Sequence, residues 1–270
     1  MESERWRIAP GQRVDLDAVD PASTAGGPSD KTSGKALVHD LRDTLAELQG
    51  RFYAEGERAL LVVLQALDAG GKDGTIKHVF RGVNPQGCRV TSFKQPNETE
   101  LARDLLWRIH QNTPRKGMIG IFNRSHYEDV LIVRVHGLVP ESVWRPRFEQ
   151  IRDFERGLSS EGTRIVKFYL HISKDEQVAR FRRRLVRPDK RWKFNAGDLD
   201  ERKRWDDYRA AFNEALSETS TAEAPWYVIP ADHKWFRNWA VLTTLVELLQ
   251  DMDPQYPEPD AALPDPDTIV

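Results

Sequence analysis

Gly70, Gly71, Lys72 and Gly74, placed between an apolar run and a helix start, are the residues of this 270-residue chain best suited to gripping phosphate. In the pattern G-x-x-x-x-G-K-[ST], glycines let backbone N–H groups close on phosphate oxygens, the lysine supplies charge and the hydroxyl reaches magnesium. The stretch LLVVLQALDAGGKDGTIK keeps Gly71 and Lys72, but Ala66 stands at the first glycine and Asp73 at the hydroxyl. Lys72 and the neighbouring amides would converge on one anion. The plainer alternative is a glycine turn with an incidental surface lysine. Asp68, inside the loop, would repel phosphate unless a cation intervened, so it reads either as a magnesium ligand or as a turn-stabilising aspartate.

A second polar cluster closes the segment MIGIFNRSHYED, Met118 to Asp129. Phosphate-loop enzymes place a metal-holding carboxylate at the end of a second strand; here that position is Asn123. Glu128 and Asp129 restore negative charge nearby, and the fork of Arg124 suits a phosphate. Ser125 followed by Glu128 also fits a helix capping box. His126 has no identifiable nucleophile beside it and reads as a hydrogen-bonded structural histidine.

The third feature is VARFRRRLVRPDKRWK, where eight bases meet the single acid Asp189 in a chain whose net charge is −2. Helical spacing puts Arg180, Arg183, Arg184 and Arg187 on one face and Phe181 and Leu185 on another, until Pro188 ends the helix. Such a run is either a solvated basic face or an arginine-bearing lid that closes over phosphates. Lys190 to Lys193 carry the charge into a loop.

These groups need a frame, and apolar periodicity supplies one. Strands are expected at Leu60–Gln65, Cys88–Phe93, Met118–Phe122, Ile165–His171 and Trp226–Ile229. Helices are expected around Leu37–Leu48, Thr75–Arg81, Glu98–Gln111, Glu141–Leu158 and Asp175–Val186, and along the stripe Trp235–Leu249. Strands alternating with helices predict an α/β fold with a mostly parallel sheet covered on both faces. Residues 1–34 and 253–270, rich in Pro, Gly and polar residues, read as extended or disordered tails. One cysteine, Cys88, no signal-peptide pattern and no membrane-length apolar run point to a reducing cytoplasm and no membrane. The mixed overall charge argues against a general nucleic-acid binder.

Taken in order, LVVLQALDAGGKDGTIKHV, NPQGCRVTSFKQP, TPRKGMIGIFNRSHYEDVLIVRVH, RFRRRLVRPDKRWKF and PWYVIPADHKWFRNWAV resemble the family-2 polyphosphate kinases over residues 35–252. That family's loop has the form G-x-D-x-x-G-K-x-G, which accommodates Asp68, Asp73 and Gly74. The resemblance implies a three-layer α/β/α phosphate-loop kinase fold related to thymidylate kinase, with a five-stranded sheet and a helical lid at about 178–205. It also implies reversible phosphoryl transfer between inorganic polyphosphate and AMP or ADP with Mg2+, Mn2+ being an alternative, in a homodimer or homotetramer. The FNRSHYED form is similar to the subgroup that accepts both nucleotides.

Carried over by position, Asp68, Lys72, Arg124 and Glu128 are the expected catalytic residues, with Asp68 and Glu128 holding the metal. Gly71, Lys72, Gly74, Thr75, Arg124, Arg183, Arg184, Arg187 and Lys190 are expected on phosphate, and Lys94, Asn123 and Asp129 on the nucleotide. Two rivals stay open: an ATP-dependent nucleoside monophosphate kinase, and a non-catalytic phosphate-loop protein that only binds polyphosphate or nucleotide.

Overall fold

The computed structural model describes residues 1–259 and 263. Five strands, β1 (Ala59–Gln65), β2 (Cys88–Ser92), β3 (Ile119–Asn123), β4 (Thr163–His171) and β5 (Trp226–Pro230), form one sheet in the order β2-β3-β1-β4-β5, and every pair is parallel. The strand β1 lies in the middle and all seven of its residues are buried, which is why it reads as an unbroken apolar run.

The principal helices are α1 (Lys31–Glu55), α2 (Lys72–Val79), α3 (Arg147–Ser160), α4 (Lys174–Val186), α5 (Gly197–Lys203), α6 (Trp205–Thr219) and α7 (Lys234–Met252). The side chain of Asp30 caps α1 by accepting from Thr32 N and Ser33 N, and left-handed Gly56 ends it. One face of the sheet is covered by α1, α2 and α7, which pack on one another, and the other by α3 and α6. This is a three-layer α/β/α sandwich. No described helix is long and apolar enough to cross a membrane.

Four expectations change. Residues 1–30 are largely extended but not loose, because apolar side chains scattered among polar ones tie them down. Trp6 packs edge-on against Phe236 and Trp239, Ile8 N donates to Trp226 O at 2.9 Å, and Arg7 forms an antiparallel bridge with Tyr227. Val14 N and Leu16 N then bond to Ser217 Oγ and Asn213 Oδ1 on α6. The helix expected over 98–111 is two single turns, Glu98–Leu101 and Trp107–His110. That over 141–158 is broken at Pro146, which N-caps α3. Helix α6 was not anticipated, whereas α5 lies within the helical segment expected at about 178–205. The acidic tail 253–270 falls partly outside the described residues; 253–259 form neither helix nor strand.

Candidate active site at the carboxyl ends of β1 and β3

Because β1 and β3 are parallel neighbours, with Leu64 beside Asn123, their carboxyl ends deliver two loops to one place. The join is fixed by Arg124 N donating to Leu64 O at 3.1 Å and by Gln65 Nε2 donating to Ser125 Oγ at 3.2 Å. Such strand ends are where α/β sheets bind ligands.

The first loop, 66–71, is tightly wound. Ala69 and Gly71 have φ of 59° and 108°. A Cβ on Gly70 would sit 2.4 Å from the Cβ of Ala66, so glycine is required at 70 rather than at 66. Ala66, the departure from the standard motif, serves through its backbone: its carbonyl accepts from Lys72 Nζ at 2.8 Å. Burial, reinforced by the Arg124 charge and opposed by Asp68, Glu128 and Asp73, brings the Lys72 ammonium down to about 8.

The second loop holds Arg124 at a φ of 62°, an uncommon conformation for arginine. From there its guanidinium lies 3.0 Å from Asp68 Oδ1 and 3.9 Å from Glu128 Oε2. Asp68, Arg124 and Glu128 line a cavity of about 240 Å3 that extends to Trp205, Tyr208 and Phe212 on α6. Among the described residues no three or more His, Cys, Asp or Glu are grouped to hold a metal unaided. Two carboxylates facing one cavity do fit a magnesium ion that completes its shell with substrate phosphates and water.

Behind this loop lies a fully buried polar network. Lys167 Nζ donates to Glu155 Oε2 at 2.6 Å, Tyr127 Oη at 2.8 Å and Thr219 O at 2.7 Å, while Tyr127 Oη donates to Glu155 Oε1 at 2.8 Å. His126 Nε2 stands 3.2 Å from the same carboxylate, which makes it a structural histidine. Burial alone would raise the Glu155 carboxyl, but Lys167 and His126 hold it below the usual glutamate range.

The lid follows α4. Arg183 pairs with Glu176, Arg184 with Asp198, and Arg187 and Lys190 with Asp189, so these four charges are matched by nearby acids. Two expectations about this helix are corrected. Arg180 leaves the basic face and is buried: it donates to Glu176 and to the carbonyls of Ala69, Gly70, Ala231 and Asp232. The phosphate loop's inward carbonyls need such a donor, and that demand overrides the helical charge stripe. Phe181 and Leu185, expected on one face, differ in their surroundings: Phe181 is buried and Leu185 is exposed.

The remaining expected residues are dispersed. Thr75 is buried and its hydroxyl bonds to Gly71 O at 3.2 Å within the helix, away from solvent. Asp129 is held by Arg147 at 3.5 Å and does not line the cavity. Lys94 is exposed beyond the end of β2, its carbonyl bound by Arg108. Asn123 donates to Asp73 Oδ1 at 2.9 Å, and Lys193 meets the other oxygen of that aspartate. Gln177, whose amide donates to Asp68 O at 2.9 Å, the loop-holding role of Arg180 and the aromatic wall on α6 were missed. Trp205, Tyr208 and Phe212 at helical spacing were the available signal for that wall.

A parallel α/β sandwich with a lysine-bearing phosphate loop, a second strand-end cluster and a basic lid defines a phosphate-loop kinase-type protein. Residues 28–257 match the family described as Polyphosphate kinase 2 (PPK2), and the chain belongs to that family. It is 55% identical over 259 residues to the AMP/ADP-polyphosphate phosphotransferase of Meiothermus ruber, covering 96% of this chain and 97% of that one. It is 44% identical over 274 residues to the ADP-polyphosphate phosphotransferase of Rhodopseudomonas palustris, covering 96% and 93%. The crystal structure of polyphosphate kinase 2 from Arthrobacter aurescens TC1 superposes with a TM-score of 0.93 at 44% identity, over 97% of this chain and 93% of that one.

Proposed function

We propose that this chain transfers phosphoryl groups from inorganic polyphosphate to AMP and ADP, reversibly and by direct in-line transfer. The observation that carries the reading is the convergence of Asp68, Arg124 and Glu128 on one cavity, with Lys72 of the adjoining glycine loop within electrostatic reach of all three. Polyphosphate is an anionic chain without bases, so its recognition calls for amides and cations rather than stacking platforms. The glycine loop and Lys72 hold the donor, while the acceptor lies in the cavity with its base against the aromatic wall on α6. Arg124 spans both sides and spreads the charge that develops on the transferred group. Asp68 and Glu128 would hold Mg2+, which would neutralise negative charge on the reacting phosphates. Close alignment of donor and acceptor supplies most of the remaining catalysis.

The test supplies AMP or ADP with polyphosphate as sole phosphoryl donor and measures ADP and ATP formed. Product that disappears with Lys72→Met is expected. Absence of product, with ATP driving transfer to a monophosphate instead, would replace this reading by an ordinary monophosphate kinase.

A further inference from the structure

Arg237 lies in the first turn of α7 and is only 2% exposed. Its guanidinium occupies the space that a side chain at position 71 would fill. A Cβ on Gly71 would stand 2.1 Å from Arg237 Nη1, and one on Gly74 would stand 3.5 Å from Nη2. The glycines of the phosphate loop therefore have a second role: they admit a cation from behind.

What surrounds that cation is unusual. Among the described residues its only side-chain partner is the neutral amide of Asn238, whose Oδ1 accepts from Nε at 3.2 Å and from Nη2 at 2.8 Å. No described carboxylate forms an ion pair with it. Arg180, whose Nη1 approaches the same Gly71 position to 3.3 Å, is different, because Glu176 neutralises it. A buried charge faced only by a neutral amide and a second cation is costly. Burial and the Arg180 charge accordingly pull the Arg237 guanidinium down to about 9. The outward side of Gly71 and Gly74 is where the start of α2 presents its amides, so an anion there supplies the missing negative charge.

We propose that Arg237 is a positioning residue acting through the loop backbone, the fixed counter-charge that sets how tightly Gly71–Gly74 holds the terminal phosphates of the donor. The proposal rests on the assignment of that loop to polyphosphate. It separates donor from acceptor: Arg237 lies on the α7 side of the loop and does not line the cavity that holds Asp68, Arg124 and Glu128.

Asn238→Asp tests this directly, because it exchanges an accepting amide oxygen for a carboxylate oxygen of the same shape against Arg237. Giving the guanidinium its own counter-ion should raise the melting temperature of the free protein. It should also weaken tripolyphosphate binding by calorimetry, and raise the polyphosphate KM, by about tenfold, an effect in keeping with removing one unit charge several ångströms from the ligand. The nucleotide KM should hold. A merely structural arginine would show the gain in stability with tripolyphosphate affinity unchanged, and that result overturns the proposal. If the Asn238→Asp chain does not fold, Arg237→Met against Arg237→Lys decides by the same titration: loss of affinity with methionine and partial recovery with lysine supports it, and equal affinity in both overturns it. Lys72→Met is the control for the underlying assignment. Unchanged tripolyphosphate binding in that variant removes the donor loop itself, whereas loss there without loss in Asn238→Asp removes only the role of Arg237.

Discussion

Lys193 of the lid reaches Asp73 of the phosphate loop, Nζ to Oδ2 2.6 Å, while Asn123 donates to the other oxygen of the same carboxylate at 2.9 Å. Burial would raise the Asp73 carboxyl, but these two donors hold it below the usual range. One aspartate, at the position where other phosphate loops carry a hydroxyl, thus joins the loop, the second strand and the lid.

That contact is partly exposed, and pairs of this kind contribute up to about 1 kcal/mol. Lys193→Gln should accordingly accelerate tryptic cleavage after Lys190 and Arg191 by about two- to fivefold, with little change in melting temperature. An unchanged cleavage rate would mean that Arg184–Asp198 alone holds the lid.

Lys72 sets an alkaline limit. Its pKa is lowered from the ordinary lysine value to about 8, so the charge proposed to meet phosphate is present below that pH and lost above it. The free enzyme's kcat/KM for polyphosphate should fall with rising pH through about 8, approaching tenfold per unit. Lys72→Arg, which keeps its charge, should remove this limb from the pH profile even where overall activity is reduced.

Arg183 and Arg184 test whether the basic run meets the donor or only solvent. Both are paired with acids in the free protein, so binding must exchange those partners for phosphate. The double change to glutamine should lower the slope of log affinity for polyphosphate against log salt by about 1 to 2. A slope equal to the parent's identifies the run as a solvated face.

Glu155 and Lys167 form a buried pair, each 1% exposed or less. Glu155→Gln leaves the ammonium without its counter-charge and should cost about 3–5 kcal/mol in urea unfolding. Exchanging both partners, Glu155→Leu with Lys167→Met, should recover much of that loss, because the desolvation of two charges is removed together.

Trp6 measures how firmly the N-terminal strap is attached. It is 7% exposed and packed against Phe236 and Trp239, so Trp6→Ala should cost about 3–5 kcal/mol. For a domain of this size that lowers the melting temperature by about 6 to 20 °C, read by circular dichroism. A smaller shift would show that Ile8, Val14 and Leu16 carry the attachment.

The sheet was legible because its evidence is local: each strand is an apolar run bounded by turn residues, and all five lie within two residues of the expected places. The meeting of Asp68 with Arg124 could be anticipated from topology, since parallel strands send their following loops to the same edge. Arg180 and Arg237 could not. In a linear reading an arginine is a surface charge, and only the folded loop shows carbonyls waiting for one and glycines making room for the other. Likewise the breaks at 102–106 and 145–146 interrupt patterns whose polar and apolar residues otherwise recur at helical spacing; Asp104 accepts from Leu106 N and restarts the chain locally. The strap was misread because its few apolar residues show no period, and they are buried by helices that lie more than 190 residues away.

The bridge between Arg7 and Tyr227 also bears on how the sheet can grow. By pairing with the start of β5 it takes up hydrogen-bonding positions that a strand from another molecule would need. The opposite border, β2, is five residues long and turns Arg89 outward, which makes it a poor template for addition. A fully parallel sheet has two such borders to protect. This chain blocks one with its own N-terminal segment and defends the other by brevity and charge, so neither border offers a ready template for continuous β-pairing.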